Sequence, residues 1–320
     1  MFLSFNEVSE LISDGKLLHI SGNCDLLKKL PKGNWIGGST EFFITESGGV
    51  VSDDRLFVNV FPYADFKFSS YNEESIYNVT VDSYDNGFSV VIIPSDTAVQ
   101  EVYAEKAISF DGMFIKNIVG WISGTNPNTE DQVAIAVNGS TGEVFCDKAV
   151  VLHIGIPGDK TVNIGIINIF SQDEDSPIIE FEEAGFSVSK CLVDGKKVVF
   201  SDYIKENNLN IKLPLIANYS GALVNTSLKS IENGIVKTCA PVFPGIEYKL
   251  AKPMENYEKE FIYQLSQHKD LNPVFSVNCF LNFLYGELEG KVIDSFLSPV
   301  AFGEIAYQLL NQTAIYLTVV

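Results

Sequence analysis

Short apolar runs, separated by polar turn residues, recur along most of the chain. Runs of about four to eight residues that are rich in β-branched and aromatic side chains and bounded by Asn, Asp, Gly or Pro are typical of β-strands. This pattern predicts strands within residues 55–63, 75–84, 87–95, 114–124, 131–137, 148–156, 161–170, 213–228, 235–251, 272–279 and 312–320. Residues 137–145 are predicted to form a hairpin, because Asn-Gly and Thr-Gly pairs supply the positive φ that tight turns need.

Three segments have apolar positions at helical spacing. Ser4 and Glu7 have the spacing of a capping box, which predicts that a helix begins there. Ser95 is predicted to cap a helix over residues 96–107, and residues 254–268 have the clearest helical stripe. Helices beside buried strands predict an α+β fold, in which strand-rich mixed sheets are flanked by a few helices and form two related or interlocked sheet halves.

An acidic loop with a proline, residues 171–177, interrupts the strand pattern. Such a loop is typical of a junction between structural units. The sequence therefore predicts an N-terminal region of residues 1–172 and a C-terminal region of residues 173–320.

The charge balance limits the classes of partner. The chain has 22 basic and 41 acidic residues, a net charge of -19, and Arg55 is its only arginine. Nucleic acid and anionic membranes are recognised by clustered Lys and Arg, so neither is an expected partner. The first residues lack the basic segment of a signal peptide, and no apolar run reaches the about 18 residues of a membrane-spanning helix. The protein is therefore expected to be cytoplasmic.

The cysteines and the common motifs give no sign of a metal or cofactor. The five cysteines are odd in number, widely spaced and free of any CxxC pair: Cys24, Cys146, Cys191, Cys239 and Cys279. This pattern argues against a disulfide framework and a zinc site and predicts free thiols. The patterns GxSxG, HExxH, GxGxxG and DxDxDG do not occur. The sequence predicts no catalytic residue, no cofactor and no metal.

Residues 34–43, NWIGGSTEFF, place two glycines and two hydroxyls in an otherwise apolar run. Glycines let backbone amides approach another group closely, and hydroxyls add hydrogen-bond donors and acceptors. A phosphate loop needs a lysine and a following helix, and this segment has neither. Gly37, Gly38, Ser39 and Thr40 therefore form either a β-turn or close strand crossing, or part of a ligand pocket.

Four further candidates lie elsewhere in the chain. Trp121, with Gly120 and Gly124, belongs either to a β-turn or close strand crossing or to the wall of a pocket. Glu304 follows Gly303 in an apolar stretch, where it either binds a ligand ammonium group or acts as a base with a raised pKa, or instead faces water. Asn278 and Cys279 end a strand that opens onto a helix, a common ligand position that also lowers a thiol pKa; an inert core thiol is the alternative.

A cysteine nucleophile requires a histidine, and the chain has three. His153 lies in an apolar strand and is interpreted as a satisfied core histidine. His268 ends the predicted helix over residues 254–268 and is expected to complement its dipole. A Cys- or Glu-dependent hydrolase therefore remains an alternative function, as does a scaffold that binds no ligand.

Several segments resemble the FIST sensory domain, in the same order along nearly the whole chain. Residues 299–320 resemble the ending of that domain, residues 272–279 its strand ending in Cys, and residues 34–43 and 117–125 its two small-residue turns. Five residues of the ending stand in matching places: Gly303, Glu304, Ile305, Asn311 and Thr313. The family usually has Cys where Gly38 stands and an arginine shortly after the strand-ending Cys, which this chain lacks.

The resemblance implies a FIST N-like region over residues 1–172 and a FIST C-like region over residues 173–320. It also implies a sensor that binds a small molecule, such as an amino acid or a similar metabolite, and acts on a signalling protein. No kinase, cyclase or receiver module is present, so a stand-alone sensor is expected. We expect nine residues from both regions to form one ligand site: Gly37, Gly38, Ser39, Thr40, Trp121, Asn278, Cys279, Gly303 and Glu304.

Overall fold

Strands dominate the structure, a computed structural model that describes residues 1–129, 132–219, 221–268, 271–293 and 296–320. Strands account for 43% of it and helices for 18%, so the fold is α+β, as the sequence predicts. Two predicted strand segments, 131–137 and 213–228, include Asp131 and Ser220, which lie outside the described residues.

The helices of the described residues are α1 Phe5–Ser13, α2 Cys24–Lys29, α3 Asn78–Val81, α4 Ala98–Lys106, α5 Phe200–Glu206, α6 Tyr257–Ser266 and α7 Phe280–Tyr285. The strands in the first half are β1 Phe2–Ser4, β2 Leu17–Gly22, β3 Trp35–Ser39, β4 Phe42–Thr45, β5 Gly48–Val51, β6 Arg55–Phe61, β7 Phe66–Tyr71, β8 Gly87–Pro94, β9 Asn117–Ser123, β10 Ala136–Asn138, β11 Glu143–Phe145, β12 Ala149–Gly155 and β13 Val162–Asn168. The strands in the second half are β14 Ile179–Glu180, β15 Gly185–Val188, β16 Lys190–Val193, β17 Lys196–Val199, β18 Leu215–Tyr219, β19 Ala222–Thr226, β20 Leu228–Glu232, β21 Ile235–Val242, β22 Tyr248–Leu250, β23 Phe275–Cys279, β24 Ser298–Ala301, β25 Glu304–Ala306, β26 Gln308–Leu310 and β27 Thr313–Val319.

These strands pair into five sheets, which we number here. Sheet 1 has the order β1-β6-β2-β3-β10-β11, sheet 2 β26-β25-β9-β8-β12-β7 and sheet 3 β13-β27-β23-β24-β4-β5. Sheet 4 has the order β17-β16-β14-β22-β18-β19, and sheet 5 has β15-β21-β20. The pairs β2–β3, β8–β9 and β23–β24 are parallel, whereas their neighbours in the same sheets are antiparallel, so the sheets are mixed.

Sheets 2 and 3 contain strands from both predicted regions. Sheet 2 joins β7, β8, β9 and β12 to the late strands β25 and β26, and sheet 3 joins β4, β5 and β13 to β23, β24 and β27. The two regions therefore interlock through shared sheets. The boundary between residues 172 and 173 stays a prediction.

The central core lies where sheets 1, 2 and 3 face one another. It includes Ile36 of sheet 1, Trp121 of sheet 2, and Phe275 and Ile315 of sheet 3, all fully or almost fully buried. Helices α6 and α7 pack on the other side of sheet 3, and α5 packs with sheets 4 and 5 around a separate core. This arrangement brings β3, β9, β23 and β25, which contain most of the candidate site residues, to the middle of the molecule.

Local sequence signals account for both the first helix and the hairpin. The Ser4 side chain accepts the N–H of Glu7, and the Glu7 carboxylate accepts the N–H of Ser4, which confirms the capping box of α1. Strands β10 and β11 pair with Gly142 at a φ of 76°, which confirms the predicted hairpin.

The predicted strand over residues 75–84 is wrong, because this segment forms the short helix α3. The Ser75 hydroxyl accepts the N–H of Asn72 at 3.1 Å and donates to its Oδ1 at 2.6 Å, and this local pairing begins a turn rather than a strand. Ile76 and Val79 are then three residues apart on one face and fully buried. The helical spacing of Ile76 and Val79 therefore outweighs the strand propensity of the β-branched residues in this segment.

Two predicted helix ends are also wrong. Thr97, not Ser95, caps α4, because its hydroxyl accepts the N–H of Gln100. Helix α6 ends at Ser266, so His268 lies beyond the last turn. The His268 ring lies 5.6 Å from the ring of Tyr316, which places it against sheet 3.

Candidate functional site

Gly37 and Gly38 lie inside β3, so the β-turn interpretation of this segment is wrong. A Cβ atom at Gly38 would lie 2.6 Å from Ile92 Cγ2 and 2.8 Å from the Trp121 ring, both on sheet 2. A Cβ at Gly37 would lie 3.0 Å from the carbonyl oxygen of Ile20 in the neighbouring strand. The glycines therefore permit a close crossing of sheets 1 and 2.

The hydroxyls of Ser39 and Thr40 bind protein backbone. Ser39 Oγ accepts the N–H of Ile135 at 2.9 Å, and Thr40 Oγ1 donates to the carbonyl of Val300 at 2.7 Å. Both side chains are almost fully buried. These hydrogen bonds connect the end of β3 to the segment before β10 and to β24. Among the described residues, no contact of either hydroxyl supports the predicted ligand role.

Trp121 is fully buried and lies directly opposite Glu304 in the pairing of β9 with β25. Directly opposite residues of an antiparallel pair point to the same face of the sheet. The Trp121 Nε1–H donates to His19 Nε2 at 2.8 Å, and its ring fills the space above Gly38. The two predicted site residues Trp121 and Glu304 are thus neighbours, with the indole occupying the core.

Glu304 is fully buried in sheet 2, so the alternative of a glutamate facing water is wrong. Its Oε2 accepts the N–H of Thr313 at 3.2 Å and the Thr313 hydroxyl at 2.7 Å. By geometry its Oε1 has no hydrogen-bond partner among the described residues, but the Cys279 thiol lies close enough to the carboxyl to interact with it. Burial raises the pKa of this carboxyl to about 8, although the Thr313 bonds and the Cys279 thiol act in the opposite direction. The carboxyl is therefore mainly protonated at neutral pH.

Cys279 ends β23 and is 2% exposed. Burial, followed by the charge of the nearby Glu304, raises the pKa of its thiol well above the usual value. The N–H groups of Gln312 and Leu281 favour the thiolate, but they do not outweigh burial. The predicted lowering of the thiol pKa at the start of α7 is therefore wrong, and the thiol is buried in the core.

Asn278 belongs to a chain of buried hydrogen bonds behind Cys279. Its Oδ1 accepts from Asn282 at 3.1 Å, while its Nδ2 has no partner in the part of the chain that the structure describes. Asn282 also donates to the carbonyl of Thr313 and accepts from the Tyr257 hydroxyl at 2.7 Å. Gln312 donates to the Tyr257 oxygen at 3.0 Å, which links α6, α7 and the start of β27.

The polar residues around Glu304 form one group, which we call the Glu304 cluster: Cys239, Tyr257, Asn278, Cys279, Asn282, Tyr285, Glu304, Gln312 and Thr313. Burial raises the pKa of Tyr257, with Cys279 and Glu304 among the contributing charges. Burial likewise raises the pKa of Cys239 to about 12, and Glu304 contributes to this shift. Cys239 and Tyr257 therefore lie within the range of the charge on the buried carboxyl.

The Glu304 cluster reaches the protein surface on one side. Cys239, Tyr257 and Tyr285 are half-buried, and the ammonium of the exposed Lys212 lies 5.6 Å from the centre of the Tyr285 ring. The Lys212 carbonyl accepts from Gln312 at 3.0 Å. Polar groups therefore continue from the buried carboxyl to solvent.

Sequence reasoning missed several members of this cluster as site residues. The polar run Asn311-Gln312-Thr313 inside an apolar C-terminal stretch was the available signal, since such residues need partners when buried. Tyr257 gave no separate signal, because it belongs to the apolar stripe of α6.

Gly303 has a backbone role beside the cluster. Its carbonyl accepts the N–H of Ile122 at 2.8 Å, and a Cβ atom there would lie 2.8 Å from Leu309 and 3.0 Å from Ile122. Of the nine predicted residues, the structure brings Glu304 together with Cys279 and Trp121, and Trp121 with Gly38. Gly37, Ser39 and Thr40 instead make structural contacts elsewhere in the strand crossing.

The histidines do not form a catalytic pair with Cys279 within the described residues. His153 Nδ1 lies 2.8 Å from Ser89 Oγ and its Nε2 lies 3.2 Å from the Tyr71 hydroxyl, which confirms a satisfied core histidine. His19 pairs with Trp121. A search of the same described ranges finds no group of three or more His, Cys, Asp or Glu side chains arranged to hold a metal ion.

Two cavities lie away from the Glu304 cluster. One, of about 20 Å³, lies between α4 and strands of sheets 4 and 5, and holds little more than one water molecule. The other, of about 340 Å³, is a polar surface cleft lined by residues that include Gln172, Asn218 and Lys249. Neither is lined by a member of the cluster.

Fold and site together define an α+β protein in which interlocked sheets enclose an acidic side chain. The chain belongs to DUF6976, a family of unknown function, whose sequence profile matches residues 3–320. A comparison with curated proteins finds no match. None of the helices in the described ranges is long and apolar enough to cross a membrane.

Proposed function

We propose that this protein is a small-molecule-binding sensory protein and that its ligand binds at the Glu304 cluster. The observation that supports this proposal is Oε1 of Glu304, a buried carboxyl oxygen that no N–H or hydroxyl group of the described residues reaches, with only the weak donor of the Cys279 thiol near the carboxyl. Such an atom loses its hydration without compensation. A ligand with an amino group, such as an amino acid or a similar small metabolite, would supply the missing hydrogen bond.

Protonation of Glu304 would be linked to the charge of that ligand. The free protein holds this carboxyl mainly neutral at pH 7, because burial raises its pKa to about 8. A ligand ammonium group at hydrogen-bond distance favours the carboxylate. Binding of a cationic amine therefore releases up to one proton, whereas binding of a neutral amide does not.

Ligand entry requires a local opening that also provides a route for signalling. Tyr257 on α6 and Tyr285 at the end of α7 are the partly exposed tyrosines of the Glu304 cluster. Their displacement would shift these helices against sheet 3. Both helices present large exposed side chains, Tyr263 and Leu284, where a signalling protein in the cytoplasm would detect this shift.

A Cys- or Glu-dependent hydrolase has less support. Cys279 is buried, its thiol pKa is raised, and no histidine in the described chain hydrogen-bonds to it. A nucleophile needs an accessible thiolate and a base that activates it.

A thermal-shift screen tests the sensory proposal. The purified protein is mixed with single amino acids, small amines and small carboxylates, and its unfolding temperature is measured. A specific ligand at 100 times its Kd stabilises the folded state by about 2.7 kcal/mol. We expect an amino compound to give this stabilisation and Glu304→Gln to lose it.

Glu41→Gln is the matched control. Glu41 is also buried, but its two oxygens accept from Asn23 at 2.6 Å and from Asn126 at 3.1 Å. This variant should keep the ligand-induced stabilisation even if its own stability is lower. Equal stabilisation of wild type and Glu304→Gln would contradict the location of the site, and no stabilisation by any compound would favour the scaffold alternative.

A further inference from the structure

A second group of unpaired polar atoms lies on the face of sheet 1 that points to the central core. His19 on β2 lies directly opposite Asn59 on β6, and Ser21 follows two residues along β2. Cross-strand partners have Cβ atoms about 4.5–5.5 Å apart, and residues two apart in a strand share one face. The three side chains therefore share one small patch of the sheet.

Each of the three side chains has a buried atom without a partner. His19 Nδ1, Ser21 Oγ and Asn59 Nδ2 make no hydrogen bond with any residue that the structure describes. His19 and Ser21 are fully buried, and Asn59 is half-buried. Almost all buried polar groups in proteins have a partner, so three unpaired groups on one patch require an explanation.

The hydrogen-bond pattern identifies the chemistry of the missing partner. Trp121 Nε1–H donates to His19 Nε2, so a neutral His19 carries its proton on Nδ1. Burial lowers the pKa of His19 to about 3, which keeps the ring neutral at physiological pH. The patch thus offers an imidazole N–H, an amide NH₂ and a hydroxyl, all donors on uncharged groups.

The surroundings disfavour an ion as the partner. The His19 ring packs edge-on against Phe275 at 5.2 Å and against Trp121 at 5.8 Å between ring centres. A buried anion needs a cation or several strong donors to offset its lost hydration, and aromatic walls supply neither. A neutral oxygen atom needs only the hydrogen bonds that the patch provides.

We propose that His19, Ser21 and Asn59 form an enclosed binding site, separate from the Glu304 cluster, for a small neutral hydrogen-bond acceptor. The acceptor is either water or the oxygen of a small carbonyl compound. It satisfies the donors of β2 and β6 together and stabilises this part of sheet 1 against the core.

The sign of one stability change tests whether the site is occupied. Ser21→Ala removes a hydroxyl and adds no bulk. If the hydroxyl binds an acceptor, the variant loses that hydrogen bond and its unfolding temperature falls. If the hydroxyl is unpaired, its removal relieves an uncompensated buried group and the unfolding temperature rises, which would overturn the proposal.

Ser39→Ala is the matched reference for this test. Ser39 is a similarly buried serine of the same sheet, and its Oγ has a known partner in the N–H of Ile135. We expect both Ser39→Ala and Ser21→Ala to lower the unfolding temperature. Both are small substitutions in which the chain should still fold.

A crystal structure at about 2 Å resolution identifies the acceptor. Electron density within about 3.2 Å of at least two of the three atoms is expected. A single spherical peak indicates water, whereas larger density, with a matching compound released on denaturation and detected by mass spectrometry, indicates a carbonyl compound. A direct bond from His19 Nδ1 to the Asn59 side chain, an anion at the site, or no density would overturn the proposal.

Discussion

Glu304 is an acidic side chain in a place that water does not reach, and its burial links its protonation to the stability of the fold. The carboxyl pKa rises from 4.5 to about 8 on folding. Between these pH values the folded state keeps a proton that the unfolded chain has lost. The contribution of this group to stability is therefore fully present below about pH 4.5 and decreases by about 1.4 kcal/mol per pH unit up to about pH 8.

Glu304→Gln keeps the shape of the side chain and removes its ability to ionise. We expect the free energy of unfolding of the wild type, relative to this variant, to fall by several kcal/mol between about pH 5 and about pH 8. Urea unfolding at several pH values measures this difference. The difference between two variants at the same pH cancels the titration of groups that both share.

Thr313→Val provides an independent check on the same carboxyl. The Thr313 hydroxyl bond lowers the pKa of Glu304, so removing it should extend the loss of stability to higher pH. If the free energies of unfolding of the wild type and Glu304→Gln changed with pH in the same way, this carboxyl would not titrate as its burial requires.

Strand β3 depends on Gly38 for its distance from sheet 2. A Cβ atom at this position would lie 2.6–2.9 Å from Ile92 and the Trp121 ring, and Trp121 is itself held by its bond to His19. Gly38→Ala should therefore destabilise the protein by about 1–3 kcal/mol through overpacking. Chemical unfolding of the variant and the wild type measures the difference.

Gly158→Ala is the control for this substitution. Gly158 is exposed, and a Cβ atom there would meet no heavy atom within 4 Å. Its replacement should change stability by no more than about 0.5 kcal/mol. If Gly38→Ala were as stable as Gly158→Ala, the close crossing of the two sheets would not restrict residue size at β3.

Several helices and strands show how far local sequence signals predict the structure. The capping box at Ser4, the hairpin at residues 137–145 and the strand ending at Cys279 follow from local signals, and the structure has all three. The helix α3 was missed because its β-branched residues have strand propensity, while a side-chain bond between Ser75 and Asn72 favours a turn.

Contacts between distant strands explain what the sequence did not reveal about the site. The sequence left open whether Glu304 is buried or faces water. The answer depends on the pairing of β25 with β9, which places Glu304 opposite Trp121. The bond between Trp121 and His19 likewise joins strands of different sheets. Alternation along one strand predicts which residues face inward, but it does not identify the strand on the other side.

At the scale of the whole molecule, the two predicted regions share two six-stranded sheets and the central core. Sheet 3 places β4, β5 and β13 beside β23, β24 and β27, and sheet 2 ends in β25 and β26. Phe275 and Ile315 from the second region complete a core that contains Ile36 and Trp121 from the first. Each region has a smaller core of its own, but the central core is complete only when both regions are present.

Separate expression of residues 1–172 and 173–320 tests this dependence. We expect residues 1–172 alone to lack a stable fold, because they lose five strands from sheets 2 and 3 and leave one face of the central core exposed. Amide dispersion in NMR spectra and cooperative thermal unfolding are the measurements, and co-expression of both fragments should restore them as a complex. A dispersed spectrum and cooperative unfolding of residues 1–172 alone would instead show that this region is an independent domain and that the shared strands are added to a core already complete.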